Sequence, residues 1–466
     1  MRFLAATCAV TALLCLQARV LPAQDGLDEQ TGGFGSVAFD LDSQRHDVAK
    51  ACAVQSDGML ILVGSVTDDD GELNKIGIAR VGLDGHPDPS FGSTNDGRVV
   101  IDLTALGFGL KDGRASAVVI DDQGRLLVAG TVKLTAGGAN RVFVLRLLAD
   151  GAIDNSFLFN GISGGWYFST YMQGVSVAAL DLAGNLWIVG PELEDTTGDW
   201  SFLRLSPNGA ELTAQRIPIG ASYSWSGPTA LLFQPDGKTL VGGWGQLDAP
   251  TFHTSFLVHR LLAGGPTYTS DPTFGFSSDG WAYLEYPQSA WLRSLALLPN
   301  LGLVVAGELG SIGAEDVLVQ RLNRDGNSDG TFEEIVSFDL GGSGGDGTFG
   351  EVRMVAQSDG KIVLAARAQT EDTGNWANVG VARLLASGGL DPSFGGLGTG
   401  KRVFSMATPP PGAGDERLFC LVLAAGKAVV GGSREYIAPD YDFVFRRLQS
   451  NLIFTDGFES GTTFFW

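Results

Sequence analysis

The sequence has few of the residues on which catalytic and metal sites most often depend. Its 466 residues include four histidines and four cysteines, and no HExxH or CxxC pattern occurs. Such patterns hold metal ligands or a redox pair at the spacing their chemistry requires. The sequence therefore predicts no catalytic residue and, apart from two calcium-like loops discussed below, no cofactor. The histidines stand at unrelated places of the repeat: His46, His86, His253 and His259.

Positive charge is also scarce. There are 31 lysines and arginines against 52 aspartates and glutamates, which gives a formal net charge of -21. A surface this acidic repels phosphate backbones and favours solubility. We therefore expect no nucleic-acid partner, and we expect a monomer.

Long apolar runs are confined to the beginning of the chain. After Arg2, residues 3–16 are apolar, and a small-residue cleavage site ends at Ala23. The run is short for a bilayer span and is typical of a secretory signal peptide. We interpret residues 1–23 in this way, which predicts a secreted, periplasmic or cell-surface protein. No later stretch is apolar and long enough for a transmembrane segment.

Glycine, by contrast, is abundant, and it marks a repeat. The 66 glycines are about twice the usual share of roughly 7%. Seven blocks, such as "AVQSDGMLILVG" and "LFQPDGKTLVGG", contain two apolar runs joined by a turn, which is a hairpin signal. The blocks end at Gly64, Gly130, Gly190, Gly243, Gly307, Ala366 and Gly432, a mean step close to 61 residues.

Two further landmarks follow each hairpin. The first is a strand that ends in an arginine: Arg80, Arg146, Arg204, Arg260, Arg321, Arg383 and Arg447. The second is the motif DPSFG or a worn copy of it. The motif is intact at residues 88–92 and 391–395, five periods apart. In the third unit "LTAQRIPIG" replaces it. Asp, Pro and Gly suit a turn, and we expect Phe91, Phe274 and Phe394 to fill the seams between units.

Four strands in each unit of about 61 residues predict an all-β, seven-bladed β-propeller, because radial repetition removes exposed sheet edges. An open β-solenoid is the alternative, although its coils usually have shorter periods. The predicted organisation is a signal peptide at 1–23, a seven-repeat propeller at 24–450 and a C-terminal tail at 451–466.

These landmarks resemble the delta-60 repeat family, with its "QPDGK-LVGG" hairpin, Arg-Leu strand and "GLDPSFG" punctuation. The resemblance covers about residues 33–450 and is faint in the third and seventh units. It implies a propeller-like secreted bacterial protein and brings no established activity, so it supplies no catalytic residues. The tail looks like one found on some other secreted bacterial proteins. In this chain we expect it to be a sorting tag or an extra packing strand.

The ends of the repeat region suggest how a ring would close. A lone strand, "GSVAFDL" at residues 35–41, precedes the first hairpin and would complete the seventh blade. Cys52 and Cys420 each lie six residues before the turn glycine of their unit, which is the same place by counting. A disulfide between them would require neighbouring first and seventh units with these strands at the axis. Two buried free thiols are the alternative.

Two acidic loops have the alternating oxygen side chains of a calcium loop. The candidate ligands are Asp68 and Asp70 in "TDDDGELN", and Asp325, Asn327 and Asp329 in "DGNSDG". Neither loop has the bidentate glutamate of an EF-hand, and the second coincides with an ordinary repeat turn. The seven repeated arginines could ring an anion site, but their recurrence favours a structural role in which each ties down a carbonyl or a turn aspartate.

Aromatic residues crowd into the middle units. The candidate ligand-binding residues are Trp166, Tyr167, Trp225, Trp281 and Trp291. Aromatic faces stack on sugars and on partner proteins, but they are also good strand residues, so core packing is the alternative. We expect a binding or interaction scaffold for a glycan or a protein. The alternative is a carbohydrate-active hydrolase or lyase, because propeller enzymes can assemble a site from the carboxylates of several blades.

Overall fold

The computed structural model describes most of the repeat region. The described residues are 36–39, 41, 47–67, 74–82, 85–106, 110–134, 140–159, 162–191, 198–219, 223–248, 253–262, 267–311, 314–338, 351–369, 377–395, 398–404, 406, 416–424, 427–437 and 440–448. The predicted signal peptide and C-terminal tail lie outside them.

The described residues form seven antiparallel four-stranded sheets, called blades 1–7 here, with strands numbered β1–β30 along the chain. Blade 1 contains β2 (Asp47–Val54), β3 (Leu60–Thr67), β4 (Asn74–Val81) and β5 (Arg98–Ile101). Blade 2 contains β6 (Leu110–Ile120), β7 (Leu126–Leu134), β8 (Asn140–Leu147) and β11 (Trp166–Phe168). Blade 3 contains β12 (Val177–Leu180), β13 (Leu186–Pro191), β14 (Trp200–Leu205) and β15 (Glu211–Ile217).

Blade 4 contains β16 (Tyr223–Phe233), β17 (Thr239–Leu247), β18 (Thr254–Leu261) and β19 (Trp281–Leu284). Blade 5 contains β20 (Ala290–Leu297), β21 (Leu303–Ser311), β22 (Ala314–Leu322) and β23 (Ser328–Val336). Blade 6 contains β24 (Val352–Ala356), β25 (Ile362–Gln369), β26 (Ala377–Leu384) and β27 (Lys401–Phe404). Blade 7 contains β28 (Glu416–Ala424), β29 (Lys427–Ile437), β30 (Asp440–Arg447) and β1 (Ser36–Phe39). A small hairpin, β9 (Leu158–Phe159) with β10 (Ile162–Ser163), and one 3-10 turn (Leu103–Leu106) complete the described elements.

The blades form a closed ring. The first strands contact one another in the cyclic order β2, β6, β12, β16, β20, β24, β28 and back to β2, so they surround the central channel. The buried apolar residues of the described chain fall into seven clusters, and each cluster joins two adjacent blades. The predicted seven-bladed propeller with four strands in each repeat is confirmed.

Strand β1 comes from the N-terminal side of the chain and completes blade 7. It pairs antiparallel with β30, with Ser36 opposite Arg446 and Phe39 opposite Phe443. The prediction that the lone N-terminal strand latches the last blade is therefore confirmed. Ring closure rests on a non-local strand pair that covers an otherwise exposed sheet edge.

The structure contains a disulfide between Cys52 and Cys420, whose Cα atoms are 5.8 Å apart. It joins the innermost strands of blades 1 and 7. The two cysteines are not at the same ladder position, contrary to the sequence count. Cys52 is opposite Leu62, two residues before Gly64, whereas Cys420 is opposite Gly431, one residue before Gly432.

This one-residue offset has a physical reason. Equivalent side chains of adjacent blades point the same way around the ring, so two of them cannot meet. Successive side chains of a strand point to opposite faces, and a shift of one residue therefore turns Cys420 towards Cys52. The turn of blade 7 produces the shift, because four residues separate the paired Leu423 and Ala428 while five separate Val54 and Leu60.

In five of the seven blades, the glycine that ends the hairpin block accommodates a bulge in the first strand. In blade 1 the ladder skips Lys50, which lies between Ala49 and Ala51. A Cβ on Gly64 would lie 2.0 Å from the carbonyl oxygen of Val48, so only glycine allows this approach. The same skip occurs at Ser116, Thr229, Arg293 and Phe419.

The repeated arginines connect each blade to the next in what we call the arginine clasp, described here for blade 4. Arg260 Nε donates to Asp271 at 2.8 Å, Nη2 donates to Thr273 at 3.0 Å, and Nη1 donates to the carbonyl oxygen of Arg324 in blade 5. The guanidinium also lies 4.5 Å from the ring centroid of Phe274. Equivalent arginine–aspartate pairs are Arg80–Asp88, Arg146–Asp154, Arg321–Asp329 and Arg383–Asp391.

Hydrogen bonding keeps the clasp carboxylate ionised. Burial would raise the pKa of Asp271, but the Thr273 hydroxyl and backbone N–H, together with Lys238 and Arg260, lower it to about 2. The phenylalanine of the motif then closes the seam. Phe274 is buried, and its ring lies where a Cβ on Gly326 of blade 5 would be. Phe91 and Phe394 are likewise buried between two blades, so the expected seam packing is confirmed.

Blade 3, which lacks DPSFG, builds its clasp from other residues. Arg204 donates to Asp181 of its own hairpin turn at 2.8 Å. Its guanidinium lies between Trp187 and Tyr268, and Tyr268 comes from blade 4. An aromatic residue of the next blade thus replaces the phenylalanine of the motif.

The disulfide should contribute to stability. We expect Cys52→Ser with Cys420→Ser to lower the free energy of unfolding by about 2–5 kcal/mol, because closing a loop of this length restricts the unfolded chain. Thermal unfolding with and without reductant measures the effect, and the double variant should be insensitive to reductant. Two reactive thiols in the folded wild-type protein would contradict the assignment.

The clasp should contribute more to the free energy of unfolding than an exposed ion pair does. We expect Arg260→Met to destabilise the protein by about 2–4 kcal/mol, because it leaves Asp271 buried with only Lys238 as a cation. Arg324→Met is the matched control, because its exposed side chain lies at the same seam and only its carbonyl serves the clasp. Equal melting temperatures for the two variants would refute the clasp.

Candidate functional site: the loop end of the channel

The two ends of the channel differ in construction. The hairpin turns between first and second strands lie at what we call the turn end, and the first strands begin at the opposite loop end. The repeated arginines and their aspartates belong to the turn end, where they are engaged in clasps. The structural interpretation of these arginines is therefore confirmed for the described pairs, and the channel does not use them as an anion ring.

A different set of basic residues meets near the loop end, and we call it the cationic cluster: Lys50, Arg114, Arg353 and Arg417. They come from the first strands of blades 1, 2, 6 and 7. Lys50 Nζ lies 4.4 Å from the ring centroid of Phe419. Arg353 Nε donates to the carbonyl oxygen of the same residue at 2.8 Å. Phe419 of blade 7 thus contacts the cations of blades 1 and 6.

The members of the cluster differ in their partners. Among the described residues, Lys50 makes no ion pair or hydrogen bond, and Arg353 donates to two carbonyl oxygens but to no carboxylate. Arg114 is balanced by Asp112 at 3.2 Å. Burial and the charges of Arg417, Arg114 and Arg353 lower the pKa of Lys50, and Glu351 opposes this shift. The Lys50 side chain is nevertheless accessible from the channel.

Two described carboxyl groups act on Arg353 of the cluster, Glu351 and Glu308, and both oppose the lowering of its pKa by burial. The Glu351 side chain accepts a hydrogen bond from the Leu418 backbone N–H at 2.8 Å. Burial raises the pKa of Glu351 to about 7, although the hydrogen bond and Arg367, Arg353 and Arg417 act in the opposite direction. The pKa of this carboxyl group thus lies close to neutral pH.

The structure separates the candidate aromatic residues into two groups. Trp166, Tyr167 and Trp281 are 6%, 3% and 4% exposed and lie in the clusters between blades. Trp281 packs against Trp200 with ring centroids 5.1 Å apart and against His259 at 4.2 Å. These three residues offer no open ring face to a ligand.

Trp225 and Trp291 are placed differently. Trp225 is 69% exposed near the beginning of the first strand of blade 4. Trp291 is partly exposed on the first strand of blade 5 and stands one ladder position beyond Gly307. Arg114 and Arg417 stand at the same ladder position in blades 2 and 7. Accessible aromatic and cationic residues therefore share one level of the channel wall.

Trp244, which the sequence alone did not single out, joins this aromatic group. Its indole packs over Gly227, where a Cβ would lie 3.2 Å from the ring nitrogen. The available signal in the sequence was Gly227, which stands opposite Trp244 in the hairpin. The cationic cluster was also missed, because its members stand at different ladder levels of four separate blades and form no sequence motif.

The candidate calcium loops do not converge on a site in the described chain. Asp329 pairs with Arg321 in a clasp, and Asn323 caps the turn by accepting the backbone N–H groups of Asp325 and Asn327. Asp68 and Asp70 lie outside the described residues. No group of three or more metal-binding side chains (His, Cys, Asp or Glu) occurs among the residues that the structure describes.

A cleft of about 240 Å³ lies at the turn end between blades 5 and 6, lined in part by Leu298, Asp359 and Ala386, and its one arginine, Arg321, is engaged in a clasp. In the described part of the chain, no helix has the length and apolar character to span a bilayer.

Comparisons with known proteins agree with the fold. A β-propeller family described as a domain of unknown function (DUF5122) matches residues 55–91, 124–157 and 357–394. Each matched segment runs from a hairpin turn to the phenylalanine of the following motif. Three of the seven repeats are thus similar to this propeller domain. It matches no curated protein.

Several solved structures are similar. Polysaccharide lyase Uly1 superposes with a TM-score of 0.50 at 10% identity, covering 93% of this chain and 94% of the lyase. A protein of unknown function from Dyadobacter fermentans gives 0.46 at 11%, with coverage of 89% and 98%. The propeller domain of the Trilobed protease from Pyrococcus furiosus gives 0.44 at 10%, with coverage of 90% and 100%. At such identities, the likeness to the lyase shows the fold alone.

The shifted pKa of Glu351 makes a pH-dependent contribution to stability. Because the folded-state pKa is raised, the native protein holds the proton more tightly than the unfolded chain does. Stability from this group is therefore full below about pH 4.5 and falls by on the order of 1–3 kcal/mol as the pH rises through 7. We expect Glu351→Gln to remove this fall and to stabilise the protein at pH 8.

Thermal unfolding from pH 5 to pH 8 measures this effect. Glu285→Gln, at an exposed position, is the matched control and should follow the wild-type curve. A constant difference between Glu351→Gln and wild type across this range would show that Glu351 does not titrate there.

Proposed function

We propose that this protein is an extracytoplasmic binding scaffold of the delta-60 repeat type, with its ligand site at the loop end of the propeller. The observation that carries this proposal is Trp225, a large aromatic residue that is 69% exposed on an inner strand. The partly exposed Trp244 and Trp291 on the same and the adjacent blade extend its surface. Exposed aromatic groups of this kind are expected where a sugar ring or a partner side chain packs.

A glycan is the ligand class we favour. Indole faces bind the apolar face of a sugar ring, while nearby charged groups bind its hydroxyl and acidic substituents. The rigid first strands hold these side chains in place without a folding cost on binding. A protein partner is the second possibility for the same surface.

The alternative is a carbohydrate-active hydrolase or lyase at this end of the channel. Its best candidate for proton transfer is Glu351, whose pKa of about 7 suits an acid or a base. This carboxyl is only 8% exposed and is bonded to a backbone N–H. Such burial separates it from a ligand in the channel, which favours binding over catalysis.

A glycan and polysaccharide panel on residues 24–466, with and without calcium, tests the proposal. We expect Trp225→Ala to weaken binding roughly tenfold or more, because a stacked aromatic contact is worth about 1–3 kcal/mol. Phe276→Ala is the matched control, since Phe276 is 94% exposed but lies at the turn end, and it should bind like wild type.

Three other outcomes of this panel would change the proposed function. Shorter glycan products that accumulate with time would establish the enzyme instead of the scaffold. A requirement for calcium would support a calcium site in the acidic loops. Equal loss of binding in both variants, or no binding to any glycan, would refute the glycan site.

A further inference from the structure

Blade 5 has a tryptophan and an ion pair side by side at the loop end. Trp291 on β20 stands directly opposite Glu308 on β21, and the side chains of directly opposite residues lie on the same face of a sheet. Arg293, which the ladder skips, donates from Nε and Nη2 to the Glu308 carboxylate at 3.1 and 2.8 Å. The indole of Trp291 and the guanidinium of Arg293 are therefore neighbours of the same carboxylate.

A ligand can reach two of these three side chains. The Arg293 side chain is 22% exposed and Trp291 is partly exposed, whereas the Glu308 side chain is only 3% exposed. Arg293 uses two of the five N–H donors of its guanidinium for Glu308, and no described residue accepts the other three. The accessible surface thus combines an aromatic face with hydrogen-bond donors whose orientation a covered carboxylate fixes.

The repeat itself does not require this arrangement. The same two positions of the ladder, just beyond the glycine of the hairpin block, hold different pairs in four other blades: Val48–Ser65, Arg114–Thr131, Gly227–Trp244 and Arg417–Ser433. Of these five described pairs, that of blade 5 is the one with a carboxylate. Blades form with serine, threonine or tryptophan in the place of Glu308, so the acid is a feature of blade 5 and not of blade construction.

We propose that Trp291 and Arg293 form one sugar subsite, in which the indole stacks on a neutral pyranose ring and the guanidinium donates to hydroxyl oxygens at the edge of that ring. Glu308 is a positioning residue, which holds the guanidinium through Nε and Nη2. The inference rests on the proposed function and deepens it, because it names the class of sugar and the residue that selects it.

The ion pair determines the class of sugar. Glu308 offsets the charge of Arg293 at 2.8 Å, so the subsite offers donors without requiring an acidic substituent on the ligand. A guanidinium held by one carboxylate presents its remaining N–H groups in a fixed plane. A site built to bind a hydroxyl group discriminates against the analogue that lacks it, because the polar group of the site is then left unpaired. The subsite should therefore recognise hydroxyl groups and not charge.

Methyl glycosides of glucose, galactose and mannose, with monodeoxy analogues of the tightest binder, test the subsite on residues 24–466. Tryptophan fluorescence should show saturable binding, and removal of one hydroxyl group should weaken binding by wild type roughly tenfold or more. In Arg293→Met, the same deoxy analogue should bind about as well as the parent glycoside, because the donor is absent. A merely structural role of Arg293 would weaken both ligands equally. Retained discrimination in this variant, or no saturable binding of the three glycosides, would overturn the proposal.

The second variant, Arg293→Lys, guards against a folding defect. It keeps a cation for Glu308 but loses the planar fork, so it should fold and should lose discrimination. Arg125→Met is the matched control, because Arg125 is 17% exposed and pairs with Asp121 at 2.6 Å at the turn end of blade 2. It should bind every glycoside as wild type does. Equal losses of binding in Arg125→Met and Arg293→Met would refute the subsite.

The subsite and the proposed function can fail separately. Glycan binding that is weakened in Trp225→Ala, but unchanged in Trp291→Ala and Arg293→Met, would remove the subsite and leave the scaffold. Absence of binding both to the methyl glycosides and to the polysaccharide panel would refute the glycan site as a whole. Loss of fluorescence response and of affinity in Trp291→Ala would support the stacking position.

Discussion

The propeller depends on the arginine clasp. Each β-sheet of four strands is small and has two apolar faces, so no blade is stable without its neighbours. The clasp connects a strand end, a turn and the next blade through a single guanidinium, which donates to a carboxylate, a hydroxyl and a carbonyl oxygen at once. In blade 4, Arg260 bonds to Asp271, to Thr273 and to the carbonyl of Arg324.

The ring must also close, and closure needs a different device. The clasp links consecutive units, whereas blades 1 and 7 are separated by the whole repeat region. Strand β1 and the Cys52–Cys420 disulfide, with a sequence separation of 368 residues, provide this link at the outer and inner edges of blade 7. The shorter turn of blade 7 is part of the same device, because it gives Cys420 the orientation that the disulfide requires.

Much of this architecture could be predicted from the sequence, because a repeat averages over local ambiguity. Asp-Gly turns, the arginine strand and DPSFG recur in order, so the blade number, the role of Phe91 and the closing strand follow from spacing. The ladder offset between Cys52 and Cys420 could not be predicted, since it depends on how many residues a turn leaves unpaired. Counting from a glycine does not show this.

The candidate site was harder to predict for a related reason. Aromatic composition indicated the middle blades, but it could not separate Trp225 from Trp281, because both residues occupy strands and only the three-dimensional packing decides which face is covered. Bulges in the first strands also break the simple alternation of inward and outward positions. The cationic cluster has no local pattern, because its members are brought together only by the closed ring.

The chain contains two sets of basic residues, and their contrast bears on function. The clasp arginines recur from blade to blade with aspartate partners, as a structural requirement of the repeat demands. Lys50, Arg353 and Arg417 break the repeat: blades 3 and 4 have glycines near the level where blades 2 and 7 have Arg114 and Arg417. These basic residues are therefore a particular feature of this channel and not a requirement of the repeat.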